Sequence, residues 1–248
     1  MNQPINGRLR VDLHSHTNCS QDAVTTPWDL VERAREANLD RIAVTDHGCL
    51  DGAWRAREID PELVIVGEEI RCRCRTELIG LFLRERIPMR LPLEEVVERI
   101  RDQGGVVYAP HPYAYLWKPI ARARRAMAVA DVVEGFNARA FVPVWNQCAT
   151  RRAMARKIPL GAGSDAHFPL EIGRAFTEMP AYASVPEFKE ALKLARPVGL
   201  TVTNPLFFVA SATAKVLSVV TELGSGIEAL PEPRTLAAGM ERQGIRAA

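Results

Sequence analysis

The stretch LRVDLHSH, residues 9–16, carries the pattern that decides the fold. Its first part, Leu9–Leu13, is an apolar run typical of a β-strand, and two histidines follow at once. Residues two apart on a strand project from the same face, so His14 and His16 can approach one ion. An apolar run that ends in a histidine or a carboxylate recurs along the rest of the chain.

Short apolar runs alternate with amphipathic stretches over most of the sequence. The strand candidates are Leu9–Leu13, Arg41–Thr45, Leu63–Val66, Leu78–Leu83, Val106–Ala109, Asp131–Glu134 and Leu160–Ala162. The helix candidates are Trp28–Ala37, Leu93–Gln103, Lys118–Val129 and Pro143–Arg156. This alternation predicts an α/β protein with βαβ units and a parallel sheet, closed or nearly closed into a barrel. Only the segment between Val64 and Leu83 lacks room for a helix, so a local hairpin or a bent excursion is expected there.

The amino-acid composition is that of an ordinary globular protein and excludes few classes of function. The chain has 248 residues, a net charge of +2 and 25% charged residues, which is ordinary for a globular protein and gives no argument for a nucleic-acid or membrane surface. Its five cysteines form no disulfide-like framework, so a reducing, cytoplasmic location is expected. We expect neither membrane insertion nor an obligate protein partner.

The C-terminal part differs from the rest. The apolar stretch Pro205–Val220 is interrupted by Lys215 and is short for a membrane span, which favours a buried helix. Beyond Gly224 the sequence loosens into glycine, proline and small residues and predicts a mobile tail. We therefore expect a single barrel domain over residues 1–203 and a helical extension with a tail over 204–248.

All five histidines lie in contexts that suit metal binding, and three of their clusters also carry an aspartate. The clusters are DLHSH, TDHG, APHPY and GSDAH, which contain His14, His16, His47, His111 and His167. In a βα barrel the loops beyond the carboxyl ends of the strands form one mouth, so the clusters should converge. Nitrogen and carboxylate ligands without thiolates suit Zn²⁺, Mn²⁺ or Fe²⁺. The number of candidate ligands exceeds the needs of one ion and predicts two or three.

The ordered motifs DLHSHTNCSQDA, TDHG, GEEI, ELIGLFL, APHPY, EGFNAR and GSDAH resemble those of the PHP superfamily (polymerase and histidinol phosphatase), especially its stand-alone metal-dependent phosphoesterases. The resemblance covers roughly residues 11–195. It implies a distorted (βα)7 TIM-like barrel with a two- or three-metal centre that hydrolyses phosphate esters.

Carried over by position, the resemblance implies nine metal ligands in three groups. A first ion takes His14, His16, Glu69 and Asp165, a second shares Glu69 and takes His111 and Glu77, and a third takes Asp22, His47 and His167. Asp22 and Glu77 stand where relatives have histidines. The family pattern G-x-E-I selects Glu69 as the bridge, with Glu68 as the alternative.

Other residues of the motifs have supporting or substrate roles. Asp12 and Asp46 are expected to orient ligands from outside the metal shell. His167 or Asp46 could also protonate the leaving alcohol. Asn137 is a candidate ligand or substrate-binding residue, and Arg139 could take a phosphate oxygen with its planar fork. The alternative for Arg139 is a surface ion pair.

The function expected from these residues is hydrolysis of phosphate mono- or diesters, with a metal-bridging hydroxide as nucleophile. The resemblance points to nucleotides or short oligonucleotides as substrates. A phosphatase of the histidinol-phosphate type is a second possibility. A metal-binding module without activity is a third, and it would be expected to lose ligands.

Overall fold

The computed structural model describes residues 7–114, 120–199 and 201–224, except for the side chains of 208 and 217–224. Nine strands are present: β1 (Arg8–Ser15), β2 (Arg41–Val44), β3 (Val64–Arg71), β4 (Glu77–Leu81), β5 (Val106–Ala109), β6 (Val132–Asn137), β7 (Leu160–Gly163), β8 (Phe176–Pro180) and β9 (Arg196–Val198). The helices are α1 (Pro27–Glu36), α2 (Asp51–Ile59), α3 (Leu93–Asp102), α4 (Ile120–Val129), α5 (Pro143–Ala155), α6 (Val185–Leu192) and α7 (Leu206–Gly224).

The strands form one sheet in the order β7-β6-β5-β4-β3-β2-β1-β8-β9. The sheet curls so that β7, at one end, comes back beside β1: the backbone N–H of Asp165, just after β7, donates to the carbonyl of His14 over 2.8 Å. The N–H of His16 likewise donates to the carbonyl of Ala166 over 2.9 Å. The predicted single-domain, nearly closed α/β barrel is confirmed.

The parallel pattern is broken at two places. β3 and β4 form the expected hairpin, with Glu69 opposite Ile79, and β4 is also antiparallel to β5. β8 is antiparallel to β1, and β9 to β8. The reversal of β4 matters for function, because its first residue, Glu77, starts at the end of the barrel where the parallel strands finish.

All seven predicted strands are present, and the predicted helices correspond to α1, α3, α4 and α5. Lys118 and Pro119, at the predicted start of the third helix, lie outside the described residues. The strands β8 and β9 and the helices α2 and α6 were not predicted. β9 has only three residues, too few to show a periodicity.

The two largest of the four apolar clusters among the described residues lie on the two sides of the sheet. One lies inside the barrel, where Leu13 of β1 and Tyr108 of β5 meet over Gly161 of β7. A methyl group at Gly161 would come within 2.9 Å of Leu13 and 3.0 Å of Tyr108, so only glycine leaves room for both. The other cluster lies between the sheet and the surrounding helices and includes Leu30 of α1 and Ile100 of α3.

The helix α7 departs from expectation. It begins at Leu206, close to the predicted position, but Leu206, Val209 and Val216 are largely exposed, so the prediction of a buried helix is wrong. The reason is its position: α7 contacts the barrel through one face at the mouth instead of entering the core. The predicted tail beyond Gly224 lies outside the described residues, and the boundary at residue 203 stays a prediction.

No helix within the described ranges is both long and apolar enough to cross a membrane.

All five cysteines are free thiols. The cytoplasmic location stays a prediction.

Candidate metal centre

Nine polar side chains from separate parts of the chain meet at the carboxyl end of the barrel. His14 and His16 come from the end of β1, and Glu69 comes from β3. The others lie in the loops after β1, β2, β5 and β7 and at the start of β4: they are Asp22, His47, His111, Asp165, His167 and Glu77. The sequence predicted this convergence, and the barrel produces it because parallel strands end on the same side.

The carboxylates of Glu69 and Asp165 form the middle of the cluster. Oε2 of Glu69 lies 3.4 Å from Nε2 of His14, 3.5 Å from Nε2 of His16 and 3.3 Å from Nδ1 of His47. Its other oxygen, Oε1, lies 3.6 Å from Nε2 of His111. Glu69 therefore faces two groups of imidazoles at once, as a bridging ligand would.

Asp165 occupies the opposite side of the two β1 histidines. Its Oδ1 lies 3.5 Å from Nε2 of His14 and 3.2 Å from Nε2 of His16. Oδ2 lies 3.9 Å from Nε2 of His111. Potential ligand atoms of His14, His16 and Asp165 lie within 4.8 Å of one another, and so do those of His14, Glu69 and His111.

A third group lies at the outer side of the cluster. Oδ1 of Asp22 is 3.6 Å from Nε2 of both His47 and His167. The ligand atoms of His16, His47 and His167 also lie within 4.8 Å of one another. The three groups overlap the three implied sets of ligands, but His14 and His16 each belong to two groups and Glu77 to none of them. The assignment of ligands to individual ions stays a prediction.

The donor atoms fit divalent cations. Oε2 of Glu69 and Oδ1 of Asp22 are buried and accept no hydrogen bond from any described residue. Nε2 of His14 and Nε2 of His16 face each other at 3.1 Å, inside the ring of carboxylates. Buried carboxylate oxygens without donors are costly, and a cation is the partner that such a mixed nitrogen and oxygen set would take.

The ionisation states of Glu69 and Asp165 agree with a role in binding cations. Burial opposes ionisation of Glu69, but the imidazoles of His47 and His14 outweigh burial and hold its pKa well below the ordinary value. Burial also opposes ionisation of Asp165, but the charge of neighbouring imidazoles, chiefly His14, outweighs burial and holds the pKa of Asp165 well below its ordinary value. Both carboxylates are therefore ionised at neutral pH, as metal ligands must be.

His167 stays neutral for a related reason. Burial, together with repulsion from His16 and Arg139, holds its pKa well below the ordinary value. Its Nδ1 lies 2.8 Å from the carbonyl oxygen of Asp165 and can donate to it. The lone pair of a neutral ring is then on Nε2, the atom that faces Asp22. These contacts favour a ligand over a proton donor, and the acid role of His167 stays a prediction.

Of the two candidate bridging residues, Glu69 faces the imidazoles and Glu68 does not. Successive side chains on a strand point to opposite faces. Glu68 turns away from the cluster, and its Oε2 accepts from the backbone N–H of Ile87 over 2.8 Å. The G-x-E-I pattern thus selected the residue that faces the imidazoles.

Asp12 and Asp46 lie where supporting residues should. Asp46 is fully buried and accepts from the N–H of Thr17 at 2.7 Å and from both the Thr17 hydroxyl at 2.6 Å and the Ser20 hydroxyl at 2.7 Å. Oγ of Ser20 lies 3.3 Å from Nδ1 of His16, so Asp46 positions that ring indirectly. With both oxygens engaged, Asp46 is poorly arranged for proton donation, which stays a prediction. Asp12 accepts from the N–H of Ser164 over 2.9 Å and fixes the loop after β7.

Sequence reasoning missed Glu134. This fully buried residue of β6 places Oε1 3.1 Å from Nδ1 of His14. Its Oε2 accepts from Nδ2 of Asn137 over 3.0 Å. The signal was available, since Glu134 opens the EGFNAR motif in a strand that is otherwise apolar.

Asn137 has a supporting geometry as well. Nδ2 also donates to Oδ2 of Asp165 over 3.2 Å, and Oδ1 accepts from the N–H groups of Arg139 and Ala140 over 2.9 and 3.0 Å. These four contacts use its hydrogen-bonding capacity inside the protein. They favour a positioning role, and substrate binding by Asn137 stays a prediction.

Arg139 lies inside the site. Its side chain is 3% exposed, so the alternative of a surface ion pair is wrong. Nη1 lies 3.7 Å from Oε2 of Glu171, and Nη2 donates to Oγ of Ser211 over 2.9 Å. Glu171, also missed from the sequence, accepts from the N–H of His167 over 2.9 Å and so ties Arg139 to the loop after β7.

Backbone strain marks two of the ligands. His111 has a φ of 39° and Asp165 a φ of 53°, a region that side-chain-bearing residues seldom adopt. Such strain persists where surrounding contacts fix the backbone, and it is frequent at functional sites. Here it turns both side chains toward the centre.

Seven of the nine predicted ligands line an open cavity of about 240 Å³, and the other two, His14 and His16, contact its lining residues Glu69 and Asp165. Its lining consists of Asp22, His47, Glu69, Glu77, His111, Arg139, Asp165, His167, Ser211, Ala212 and Lys215. The last three belong to α7.

Several known proteins resemble this chain in sequence. The PHP domain model matches residues 12–104, and the PHP-associated model PHP_C matches residues 143–197. The uncharacterized protein MJ1587 of Methanocaldococcus jannaschii is 34% identical over 143 residues, 52% of this chain and 82% of that protein. MJ0417 of the same organism is 32% identical over 199 residues, 75% of this chain and 80% of that protein.

Solved structures with the same fold are more distant. PsfC of Pseudomonas syringae is 18% identical with a TM-score of 0.59, over 88% of this chain and 99% of PsfC. A candidate metal-dependent phosphoesterase of Bifidobacterium adolescentis is 18% identical with a TM-score of 0.51, over 63% and 87% of the two chains. The lesion-specific endonuclease EndoQ of Pyrococcus furiosus is 17% identical with a TM-score of 0.56, over 77% and 57%. From its two matching models, its relatives and its fold, this chain belongs to the PHP family.

Proposed function

We propose that this protein is a metal-dependent phosphoesterase that acts on nucleotides or short oligonucleotides. One observation carries the proposal: three imidazoles and four carboxylates line one open cavity, and the rings of His14 and His16 lie against two of those carboxylates, Glu69 and Asp165. Buried oxygens of Glu69 and Asp22 lack donors among the described residues. Two of the structural neighbours are a candidate phosphoesterase and an endonuclease, which supports phosphate-ester chemistry.

Two or three divalent ions, of zinc, manganese or iron, would be held by the nine ligands. Such ions, when bound, neutralise phosphoryl oxygens and make water a competent nucleophile near neutral pH. The chain itself fixes the ligands through Glu134 on His14 and through Ser20 and Asp46 on His16. Arg139 would then orient the phosphate group from the rim of the cavity.

The direct test is a screen of purified protein, freed of metal and then supplied with Mn²⁺, Zn²⁺ or Fe²⁺, against phosphate mono- and diesters. We expect turnover with at least one ion and none after chelation. The absence of turnover with every ion and every ester would refute the proposal.

The two alternatives give different results in the same screen. A phosphatase of the histidinol-phosphate type would favour L-histidinol phosphate over nucleotides. A metal-binding module would take up ions, detected by elemental analysis, without turnover of any ester. The complete set of ligand side chains favours an active enzyme over this last alternative.

A further inference from the structure

The helix α7 reaches the mouth of the barrel by a defined route. After β9, the N–H of Thr203 donates to the carbonyl of Ala138 over 2.8 Å, which brings the chain beside the end of β6. Oδ1 of Asn204 accepts from the N–H of Leu206 over 3.0 Å at the start of the helix. The ring of Phe207 then packs 5.3 Å from the ring of Phe168 in the loop after β7. All of α7 lies beyond the residues that the two family models match.

Two polar side chains of α7 face the metal ligands. Ser211 and Lys215 are four residues apart and therefore lie on the same face of the helix. Ser211 is buried, and its Oγ accepts from Nη2 of Arg139 over 2.9 Å. Nζ of Lys215 lies 3.5 Å from Oδ2 of Asp22, whose other oxygen faces His47 and His167.

The position of Lys215 is unusual for a lysine that serves only as a surface charge. Its side chain is 55% exposed, yet its ammonium group lies beside an expected metal ligand and lines the same cavity as Arg139. A lysine head on a flexible stem can move between a carboxylate and an incoming anion within the same cavity. The wall formed by Arg139, Ser211 and Lys215 thus offers a guanidinium, a hydroxyl and an ammonium group.

We propose that α7 completes the active site and that Lys215 and Ser211, together with Arg139, bind a terminal phosphate group, which makes phosphomonoesters the preferred substrates. This inference rests on the proposed function and names its substrate class. A terminal phosphate carries about −1.5 to −2 charges at neutral pH and three free oxygens. A diester carries a single charge and two free oxygens, so it gains less from these groups.

Glu77 and His111 line both the metal cavity and a small adjoining cleft, whose other residues include Arg75 and Arg122. This cleft measures about 20 Å³, so the larger cavity beside α7 is the one that can hold a phosphate group.

The test compares variants of the full, manganese-loaded protein. Lys215→Met should raise KM for 4-nitrophenyl phosphate, and the Kd for inorganic phosphate measured by calorimetry, by about tenfold or more, the usual effect of losing a charge-assisted hydrogen bond. KM for bis(4-nitrophenyl) phosphate should change less. Lys215→Arg, which keeps the positive charge, should restore most of the loss, and the unequal effect on the two esters is the result that a merely structural role would not predict. Ser211→Ala should cause a smaller loss in the same direction.

Val209→Ala, at an exposed position of the same helix, is the matched control and should leave all three constants unchanged. Lys215→Met with KM and phosphate Kd within twofold of the wild type would overturn the inference, and so would equal losses for both esters. If Lys215→Met does not fold, as judged by its melting temperature, Lys215→Gln and Ser211→Ala carry the same comparison.

The two proposals fail in different ways. Wild-type protein that hydrolyses both esters while Lys215→Met leaves the constants unchanged refutes the role of α7 alone. Wild-type protein that binds inorganic phosphate through Lys215 but hydrolyses no ester refutes the phosphoesterase and leaves the anion site in place. Wild-type protein that neither binds phosphate nor turns over an ester refutes both.

Discussion

Nδ1 of His14 lies 3.1 Å from Oε1 of Glu134, and both side chains are fully buried. The carboxylate accepts the ring N–H, so the lone pair of a neutral, metal-binding ring would lie on Nε2, which faces Glu69 and Asp165. One residue of β6 therefore sets the tautomer and the direction of a histidine on β1.

Replacing Glu134 by Gln should weaken metal binding about 10- to 100-fold, the usual cost of losing a carboxylate that orients a histidine ligand. The measurement is a competition titration of the metal against a chromophoric chelator. Glu98→Gln, at an exposed position of α3, is the control and should bind metal as the wild type does. Equal affinities for the wild type and Glu134→Gln would contradict the orienting role.

Removal of the metal should lower the melting temperature. A ligand at a hundredfold excess over its Kd stabilises the fold by about 2.7 kcal/mol, which corresponds to roughly 5–10 °C for a chain of this size. Differential scanning calorimetry before and after treatment with dipicolinate, and after metal is restored, measures the difference. In His14→Ala, most of this difference in melting temperature between metal-loaded and metal-free protein should disappear. A metal-free protein that melts at the same temperature as the loaded one would argue against a cation at this site.

His14→Ala and Asp165→Asn should each reduce hydrolysis of a chromogenic phosphate ester by at least about a thousandfold, since a bound ion supplies several kcal/mol of transition-state stabilisation. Both residues belong to the central ligand group. Asp102→Asn, at an exposed position of α3, should retain wild-type turnover. Folded variants that keep substantial activity would show that the reaction does not depend on this cluster.

Gly52→Ala should destabilise the protein, although alanine normally favours a helix over glycine by about 0.5–1 kcal/mol. A Cβ at this position of α2 would overlap Oγ1 of Thr17 and Oδ2 of Asp46. Overpacking of this kind costs about 1–3 kcal/mol, and it would also disturb the support of His16. Urea unfolding measures the loss, with Glu58→Ala on the exposed side of α2 expected to stay within about 0.5 kcal/mol of the wild type. A stabilised Gly52→Ala would mean that the contact between Thr17 and Asp46 tolerates displacement.

The sequence alone was enough to predict the strands β1–β7, four of the helices and the convergence of the candidate ligands on one end of the barrel. These follow from local information, because apolar periodicity marks a strand and the polar residues after it mark the barrel mouth. The choice of Glu69 over Glu68 also needed only the motif and the alternation of side chains along β3.

Only the tertiary structure decided which residues support the ligands and what α7 does. Glu134 and His14 are 120 residues apart, and Lys215 and Asp22 are 193 apart, so no local pattern links them. The apolar composition of α7 predicted a buried helix. That prediction was wrong because hydropathy describes which residues a helix contains and not the surface against which it packs. Its contact with the mouth depends on the path of residues 201–205 past β6, which side-chain pattern alone does not encode.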